Sequence, residues 1–328
     1  WDDNEDQDGK RPEKLLVTLM RRIREQAVPI SLDDVDDADT NPAEEVKTVE
    51  LTAAHNWKAS VSNLPKYKDG QMYEYFWTEK EDNIPNGYKL TNEVTYNILS
   101  PGEGVTGFIT TLTNTHTPEM TDISVTKVWE DNNNKAGVRP ASIQVQLYAD
   151  ETPQGDPVEL NEENSWKYTW KDLAKYTAGT EISYRVDEVG ETDGYLKSVA
   201  PNEDKTEYVI TNTITSVTIT KVDISDAHEL EGAHLQILDS KGIVVAEWDS
   251  AKEAHEVTGF KTGELYTLRE TVAPDGYTIT TDTTFELDEH GKLKEDKTTT
   301  KTKDGVLLVE DTATSVKVRK VDITNDKE

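Results

Sequence analysis

Three stretches of this chain carry a polar residue where the alternation of a β-strand calls for an apolar one. Lys127 lies in phase with Ile123 and Val125, and Glu188 and Asn212 each follow apolar residues in the same way. Because side chains alternate between the two faces of a strand, all three are expected to point into a core. A lone charge is very costly to bury, so such groups must pair, lose their charge or react. The pattern therefore predicts β-strands that bring a lysine, a glutamate and an asparagine together in one core.

Internal repetition divides the chain into units of roughly a hundred residues, which is the usual size of a β-sandwich. Trp1-Asp-Asp-Asn matches Trp129-Glu-Asp-Asn, and Arg11 matches Arg139, at a constant offset. A third, more divergent unit follows from residue 217. The in-phase polar residues of the third unit are Lys221, Glu270 and Asp311, and those of the first unit are Glu79 and Asn114. A lysine that completed the first set would lie two residues before Trp1.

These repeats predict three β-sandwich domains in series, at residues 1–117, 118–214 and 215–313, and the start of a further repeat at residues 314–328. The junctions between them are short and contain neither Gly/Ser tracts nor long proline-rich stretches. Such junctions favour an elongated, semi-rigid array over a compact cluster. We therefore expect tandem sandwiches that form a segment of a longer protein.

Three segments fit the repeat less directly. Residues 13–26 are rich in helix-forming residues, but their alignment with the alternating residues 143–147 predicts a strand for the first half. Residues 25–46 have no counterpart in the second unit and are acidic and turn-rich, which is typical of a surface loop. Residues 316–322 alternate like an opening strand, with Lys320 in the position of the core lysine. This strand would either open a further repeat or add to the first unit of another molecule.

Composition limits the partners of the protein. The formal net charge of −30 argues against nucleic acid and against anionic membrane surfaces. No apolar run approaches membrane-spanning length, so we expect no membrane insertion. The absence of cysteine excludes disulfides, thiolate metal sites and cysteine nucleophiles. The first residues do not have the pattern of a signal peptide, so no export route is evident from them.

The lysine in the first strand, the glutamate before an x-Gly-Tyr turn and the Asn-Thr or Glu-Asp end resemble the Cna B-type repeats and related pilin domains of Gram-positive surface proteins. Residues 1–117 and 118–214 resemble the repeat type with Lys-x-Trp, and residues 215–313 resemble the prealbumin-like variant. The resemblance implies an all-β fold of tandem immunoglobulin-like sandwiches. It also implies a spontaneous lysine to asparagine or aspartate isopeptide bond between first and last strands, and an extracellular protein anchored to the cell wall of a Gram-positive bacterium.

The residues support this chemistry independently. A lysine forced into an apolar core has a depressed pKa and can exist as a nucleophilic amine. A buried glutamate beside it can polarise a carboxamide and carry protons, so that ammonia leaves an asparagine or water leaves an aspartate. The nucleophile, proton shuttle and electrophile are Lys127, Glu188 and Asn212 in the second unit and Lys221, Glu270 and Asp311 in the third. Each domain would react once, so we expect neither enzymatic turnover nor a cofactor.

Simpler interpretations exist for each residue alone. An in-phase lysine on a terminal strand can be an edge-strand residue whose amine reaches solvent. An in-phase glutamate near a turn can belong to a solvated face, and an asparagine before threonine can be a strand-end hydrogen bond. The recurrence of complete sets in the same order favours the reactive interpretation. The histidines show no metal-ligand spacing, and residues 4–9 only weakly resemble a calcium loop, so we expect no metal.

We therefore predict a structural stalk segment of a surface adhesin or pilus-like protein, monomeric within a longer chain. The alternative is a module that binds a host extracellular protein or glycan through the first domain, its 25–46 insertion and the aromatic residues Trp57, Phe76 and Trp77. A pilin polymerised by sortase would need a pilin lysine motif and a sorting signal, and this segment shows neither.

Overall fold

The computed structural model describes residues 1–24 and 42–320. These residues form two compact units, which comprise residues 1–122 with 171–183, and residues 123–170 with the chain from 184 onward. Regular structure is nearly all β, as predicted, with two 3₁₀ helices at Ala53–His55 and Glu81–Asn83. None of the helices in the described ranges is long and apolar enough to cross a membrane. The predicted domain boundaries and the elongated arrangement stay predictions.

The described residues of the first repeat form six strands. They are β1 to β6, at Lys14–Ile23, Glu44–Thr52, Tyr67–Lys68, Gln71–Thr78, Lys89–Ser100 and Gly104–Thr115. The first four form one sheet in the order β2-β1-β4-β3, and β5 pairs with β6 in a separate two-stranded sheet. Strand β1 confirms the prediction for the first half of residues 13–26, and its alternating apolar residues Leu15, Val17 and Leu19 are buried.

The insertion of the first repeat is shorter than predicted. The prediction of a loop through residue 46 is wrong at its end, because β2 already begins at Glu44 and pairs with β1. Val46 packs against the core formed by Leu19, Tyr73 and Tyr75, and this apolar contact favours strand over loop. Residues 25–41 of the insertion lie outside the described residues.

The second repeat contains ten strands in two main sheets. They are β7 to β16, at Met120–Glu130, Ser142–Ala149, Thr152–Pro153, Val158–Asn161, Lys167–Ala174, Tyr176–Thr177, Thr180–Glu181, Tyr184–Glu188, Tyr195–Pro201 and Glu207–Ile214. One sheet has the order β11-β7-β16-β15, the other has the order β10-β8-β14 with β9 on β8, and β12 pairs with β13. Tyr208 on β16 donates a hydrogen bond of 2.6 Å to the carbonyl of Tyr184 on β14, so the two sheets meet face to face.

Eight strands form the third repeat. They are β17 to β24, at Ser216–Asp223, His234–Leu238, Val244–Asp249, His255–Thr258, Leu265–Val272, Thr283–Glu286, Lys301–Lys303 and Val306–Asp311. The two sheets have the orders β20-β17-β24-β23 and β19-β18-β21-β22. One core cluster joins Ile219 and Leu307 from the first sheet to Ile237, Leu268 and Phe285 from the second.

The first and last strands of the second and third repeats are parallel neighbours. β7 pairs with β16, with Lys127 opposite Ile210 and Trp129 opposite Asn212. β17 pairs with β24, with Lys221 opposite Val309. Parallel strands cannot be joined by a hairpin, so each pair is formed by the two ends of its repeat. This register positions Lys127 beside the closing strand β16 and Lys221 beside the closing strand β24.

The end of the described chain forms no strand. Residues 314–320 have neither strand structure nor buried side chains, and Val316 and Val318 are 96% and 95% exposed. The opening strand predicted at residues 316–322 stays a prediction, and residues 321–322 lie outside the described residues.

The alternation of β16 gives a direct test of the core. Ile210 is fully buried and its neighbour Val209 is 40% exposed on the opposite face. We expect Ile210→Ala to lower the free energy of unfolding of the second repeat by about 2 to 5 kcal/mol, because it leaves a cavity. Val209→Ala serves as the control and should change it by less than about 1 kcal/mol. Calorimetric unfolding of both variants measures these changes. Equal losses of stability would contradict the assignment of Ile210 to the core face and Val209 to the opposite face.

Candidate crosslinking sites in the sandwich cores

Strand alternation buries the three predicted polar residues of the second repeat. On β7 the buried residues are Ile123, Val125 and Lys127, on β14 they are Tyr184, Val186 and Glu188, and on β16 they are Tyr208, Ile210 and Asn212. Each polar residue ends a buried apolar row, as predicted. The lysine and the asparagine belong to neighbouring strands of one sheet, and the glutamate belongs to the facing sheet.

In this set Glu188 lies within contact distance of both other side chains. Lys127 Nζ is 3.5 Å from Glu188 Oε2, and the side chains are 0% and 2% exposed. Asn212 Nδ2 donates to Glu188 Oε1 at 3.2 Å, and Thr192 Oγ1 donates to the same oxygen at 2.6 Å. Glu188 therefore bridges the amine and the carboxamide. We call these three residues, Lys127, Glu188 and Asn212, the second-repeat set.

Burial changes the acidity of the lysine in this set. Loss of hydration lowers the pKa of Lys127 from its ordinary value to about 8, and the attraction of Glu188 offsets only part of this effect. The ring of Trp129 lies 4.3 Å from Nζ and adds a cation–π contact. The lowered pKa increases the fraction of Lys127 side chains that are uncharged at neutral pH, and the uncharged amine is the nucleophilic form.

The third repeat repeats the arrangement with an aspartate. Lys221 Nζ lies 3.2 Å from Glu270 Oε1 and contacts Asp311 Oδ1, and all three side chains are fully buried. The backbone amide of Thr280 donates to Glu270 Oε2 at 2.7 Å. Burial raises the pKa of Glu270, which favours its protonated form. We call Lys221, Glu270 and Asp311 the third-repeat set.

The first repeat holds two members of the pattern. Asn114 Nδ2 donates to both oxygens of Glu79, at 3.0 and 2.9 Å, and both residues are buried. Burial raises the pKa of Glu79, against the hydrogen bond from Asn114. Asn114 Oδ1 is buried and has no hydrogen-bond partner in the described structure. The structure thus brings the predicted pair together, in the geometry of the second-repeat set without its lysine.

A buried Asp–Arg–Tyr group beside the second-repeat set was not anticipated. Arg139 donates two hydrogen bonds to Asp131, and Tyr195 donates one of 3.0 Å to the same carboxylate. The hydrogen bond from Arg139 lowers the pKa of Asp131 to about 2, although burial opposes it. Tyr195 and Trp166 both pack edge-on against Trp129, at 5.0 and 5.3 Å between ring centroids. This group fixes the ring that covers Lys127.

The same group recurs in the first repeat. Arg11 and Tyr88 hold Asp3, while Trp57 and Tyr88 pack edge-on against Trp1. The sequence signal was the repetition of Trp-x-Asp and Arg-Pro at one constant offset, and of x-Gly-Tyr at a shorter one. Its physical meaning is a buried aspartate that is held by a partly buried arginine and a tyrosine hydroxyl.

The carboxylates that could bind a metal ion accept hydrogen bonds from protein groups instead. In the segment that weakly resembles a calcium loop, Asp8 accepts hydrogen bonds from His116 and from the backbone of Glu119, and Asp6 accepts one from the backbone of Arg11. Within the described ranges, one cluster brings three ligand atoms together, at Asp223, Asp226 and His228. Hydrogen bonds from Ser225, Tyr277 and His228 occupy its carboxylates.

The depressed pKa of Lys127 gives a measurable titration. In Asn212→Ala, which has no electrophile, we expect the Lys127 amine to titrate near pH 8 by side-chain NMR, with Lys127→Arg in the same background as the assignment control. Unfolded lysine keeps its proton up to about pH 10.4. The folded protein therefore binds fewer protons in this window, and the free energy of unfolding of the uncrosslinked second repeat should rise from pH 8 to 10 by about 2 kcal/mol. A midpoint near 10.5 would contradict the buried position.

Comparison with known proteins identifies the family of each repeat. The model of the Cna protein B-type domain matches residues 1–115 and 123–213, and that of the prealbumin-like fold domain matches residues 215–304. The collagen adhesin of Staphylococcus aureus is 36% identical over 215 residues, which is 66% of this chain and 15% of that protein. The chain thus spans less than a sixth of the length of this curated relative.

Solved structures include two related proteins. Two B repeat units of the collagen-binding protein of Staphylococcus aureus share 25% identity, covering 96% of this chain and 73% of that one, with a TM-score of 0.48. The pilus adhesin SpaC from Lactobacillus rhamnosus GG shares 14% identity, covering 91% and 42% respectively, with a TM-score of 0.45. The model of the Cna protein B-type domain matches more than half of the residues of this chain. The chain therefore belongs to the Cna protein B-type domain family, with two such domains followed by one prealbumin-like domain.

Proposed function

We propose that this chain is a stalk segment of a bacterial surface adhesin or pilus-like protein, and that its second and third repeats crosslink themselves through isopeptide bonds. The observation that carries the proposal is the burial of two complete sets, in which a lysine amine and a glutamate meet a carboxamide or a carboxyl group. Membership of the family supports an extracellular surface location, and we propose anchoring to the cell wall of a Gram-positive bacterium.

In the second repeat, the amine of Lys127 attacks the side-chain carbonyl carbon of Asn212. Rotation of the carboxamide about its Cβ–Cγ bond exchanges Nδ2 with Oδ1, which lacks a hydrogen-bond partner in the described structure, and brings this oxygen against Glu188. Transfer of a proton from the Lys127 ammonium to Glu188 leaves a neutral amine and a carboxyl group, which polarises the carbonyl by donating to its oxygen. After the attack, the carboxyl group gives this proton to the amide nitrogen, and the carboxylate so formed takes a proton from the attacking nitrogen. The C–N bond to the amide nitrogen breaks, and that nitrogen leaves with the proton as ammonia.

The third repeat uses a carboxyl group as electrophile. Lys221 touches both carboxyl groups, and the raised pKa of Glu270 keeps a proton inside the core. That proton serves to make one oxygen of Asp311 a leaving group, so that attack by the Lys221 amine releases water. The dry surroundings favour condensation because no solvent competes for the proton.

These bonds would tie the ends of each sandwich together. The Lys127–Asn212 bond closes residues 127–212 into one loop, and a crosslink over a loop of this length stabilises by about 4 to 5 kcal/mol in the chain-entropy description. Lys127 lies on the opening strand and Asn212 on the closing strand. Force applied to the two ends of the repeat therefore runs through the covalent bond, and the strands between them carry none of it.

The junction between the second and third repeats suits the transmission of force. The backbone amide of buried Thr215 donates to the carbonyl of Gly194 at 3.0 Å, and its hydroxyl donates to the carbonyl of Phe260 at 2.7 Å. Gly194 and Gly259 approach so closely that a Cβ on Gly194 would lie 2.9 Å from the Gly259 carbonyl oxygen. Such direct backbone contact leaves little room for bending at this junction.

Intact mass spectrometry tests the crosslinks. We expect the purified chain to be lighter than its sequence mass by one ammonia and one water. Glu188→Gln should abolish only the loss of ammonia, and Glu270→Gln only the loss of water, because each removes one proton shuttle. The two variants control each other, and Glu79→Gln in the first repeat should leave both losses unchanged. A chain at the unmodified sequence mass would remove the mechanism.

Ligand binding by the first repeat is the second candidate function. A relative of this chain is named a collagen adhesin, and the first repeat contains a cavity of about 1040 Å³ with Trp57 and Trp77 in its lining. Trp57 packs against Trp1, and Phe76 lies under Arg22. The partner under this candidate is a host extracellular protein or glycan.

Replacement of residues 25–41 by an Asn-Gly turn separates the two candidates. Arg21 pairs with Glu44, so a short hairpin turn can join β1 to β2 without disturbing the sheet. For a stalk we expect an unchanged melting temperature, both mass losses, and no change in retention on immobilised collagen or glycans. Loss of binding with an intact fold would favour the binding module instead.

A further inference from the structure

A buried histidine lies in the connection between the first and second repeats. Residues 116–119 join β6 to β7, and His116 is the first of them. Its ring Nδ1 lies 2.8 Å from the carbonyl oxygen of Gly87, and its Nε2 lies 2.8 Å from Oδ2 of Asp8. The side chains of His116 and Asp8 are 8% and 0% exposed. The histidine therefore joins the turn before β1 to the turn before β5 away from solvent.

Both ring nitrogens of His116 face hydrogen-bond acceptors. A backbone carbonyl and an ionised carboxylate can only accept, and a neutral imidazole carries a single N–H, so only the imidazolium can donate to both. Asp8 Oδ1 is buried and has no hydrogen-bond partner in the described structure, and the amine of Lys10 lies 3.8 Å from Oδ2. A buried carboxylate needs a cation beside it. The charge of the His116 ring supplies this cation at hydrogen-bond distance.

The acidities of the two partners agree with an ion pair. The hydrogen bond to Asp8 raises the pKa of His116, although burial opposes it. Burial raises the pKa of Asp8, but hydrogen bonds from His116 and from the backbone amide of Glu119 outweigh this effect and lower the pKa overall. Each partner therefore favours the charged form of the other.

The other ionisable groups around the pair titrate far from neutral pH. Lys10 and Glu119 face Asp8, and the ring of Tyr88 lies 5.2 Å from that of His116 between centroids. A hydrogen bond between Lys10 and Glu119 raises the pKa of the amine and lowers that of the carboxyl group. Burial raises the pKa of Tyr88. Within this network, His116 is therefore the group that titrates closest to neutral pH.

The turn that contains Asp8 also contacts the β12–β13 hairpin of the second repeat. Residues 171–183, which include this hairpin, belong to the same compact unit as residues 1–122. The amide of Gly179 donates to the carbonyl of Gln7 at 3.1 Å. A Cβ on Gly9 would lie 2.5 Å from the Cα of Gly179, so the two backbones touch directly.

Glu119 forms a second contact between the same elements. Its backbone amide donates to Asp8 Oδ2 at 2.9 Å, and its carbonyl accepts from the amide of Lys175 at 3.0 Å. Its carboxylate pairs with the amines of Lys10 and Lys175, at 2.9 and 3.3 Å. The carboxylate of Asp8 is thus the point at which the turn, the connection and His116 meet.

The next junction has a different contact at the corresponding place. Gly194 corresponds to Gly87, because each precedes the tyrosine of an x-Gly-Tyr turn. The carbonyl of Gly194 accepts from the backbone amide of Thr215 instead of an imidazole. Ala136 stands at the position of Asp8, at the offset that aligns Trp1 with Trp129. The contact at the second junction therefore has a donor that does not titrate, and it provides an internal control.

We propose that His116 and Asp8 form a pH-dependent latch that holds the β12–β13 hairpin to the first repeat. In the closed latch the imidazolium donates to Gly87 and to Asp8, and Asp8 fixes the backbone of Glu119. When the ring loses its proton, one nitrogen lone pair faces an acceptor and the carboxylate stays buried without its cation. The turn and the connection then separate, and the hairpin is released. No covalent bond changes in this step.

The direction of the pH response follows from the raised pKa. In the open latch the ring has its ordinary pKa of about 6.5, whereas the closed latch binds the proton more tightly. The latch is therefore strongest below about pH 6.5, and each further pH unit weakens it by at most about tenfold until the pH passes the raised pKa of His116. Asp8 stays ionised throughout this range, because its pKa is lowered.

Hydrogen exchange of the full chain between about pH 6 and 9 tests the latch, with each rate divided by the intrinsic rate at that pH. The amides of Glu119, Lys175 and Gly179 report on the latch, and that of Thr215 reports on the second junction. We expect the protection of the first three to fall by about tenfold over this range. The amide of Thr215 should keep its protection.

His116→Gln is the control that does not titrate. Its carboxamide can still donate to one acceptor but has no charge, so we expect low protection of the three amides at all pH values. Asp8→Asn keeps the shape of the acceptor and removes its charge. We expect it to abolish the pH dependence as well, and to return the His116 ring to a midpoint near its ordinary pKa of about 6.5 in an NMR titration.

Three outcomes would overturn the latch. The first is the same fall in protection in His116→Gln, since another group would then set the response. The second is a His116 midpoint at or below about 6.5 in the unchanged chain. The third is a raised midpoint with constant protection of the three amides, which would leave a buried ion pair that holds nothing. The mass losses expected for the crosslinks should be the same in both variants, so failure of the latch and failure of the crosslinks are distinguishable.

Discussion

Burial of the lysine amine on the opening strand is the constraint on which the second and third sandwiches both depend. In the second repeat a single carboxylate faces Lys127, and burial still lowers the pKa of the ammonium to about 8, so the ion pair does not offset the lost hydration. In the third repeat Lys221 meets two carboxyl groups, and burial raises the pKa of Glu270. In the proposed function, condensation removes the charge of the lysine from each core permanently.

Side-chain alternation made the buried polar residues predictable, because a period of two assigns Lys127, Glu188 and Asn212 to the core face from local sequence alone. The parallel pairing of opening and closing strands was not predictable in this way, since it joins residues far apart in the chain. The start of β2 at Glu44 was missed for a similar reason. Its stability comes from Val46 packing on distant residues, which overrides the acidic, loop-like composition around it.

The two complete sets handle the buried amine differently. In the second repeat the ring of Trp129 covers Lys127, and the Asp131–Arg139 ion pair with Tyr195 holds that ring in place. In the third repeat Asp223 stands two residues after the lysine, and it accepts the hydroxyl of Tyr277. In the second repeat the proposed electrophile is a neutral carboxamide, and an aromatic ring stabilises the lysine ammonium. In the third repeat it is a carboxyl group, which contacts the lysine amine directly.

In the proposed function, placement of nucleophile and electrophile on different strands makes the reaction depend on completed pairing of those strands. Glu79 and Asn114 of the first repeat make the same glutamate–carboxamide contact as Glu188 and Asn212 of the second. In the second repeat the carboxamide lies on the closing strand and the glutamate on the facing sheet, and the opening strand contributes the amine. The three groups therefore come together only when both sheets have formed, so folding itself supplies the proximity that the proposed condensation needs.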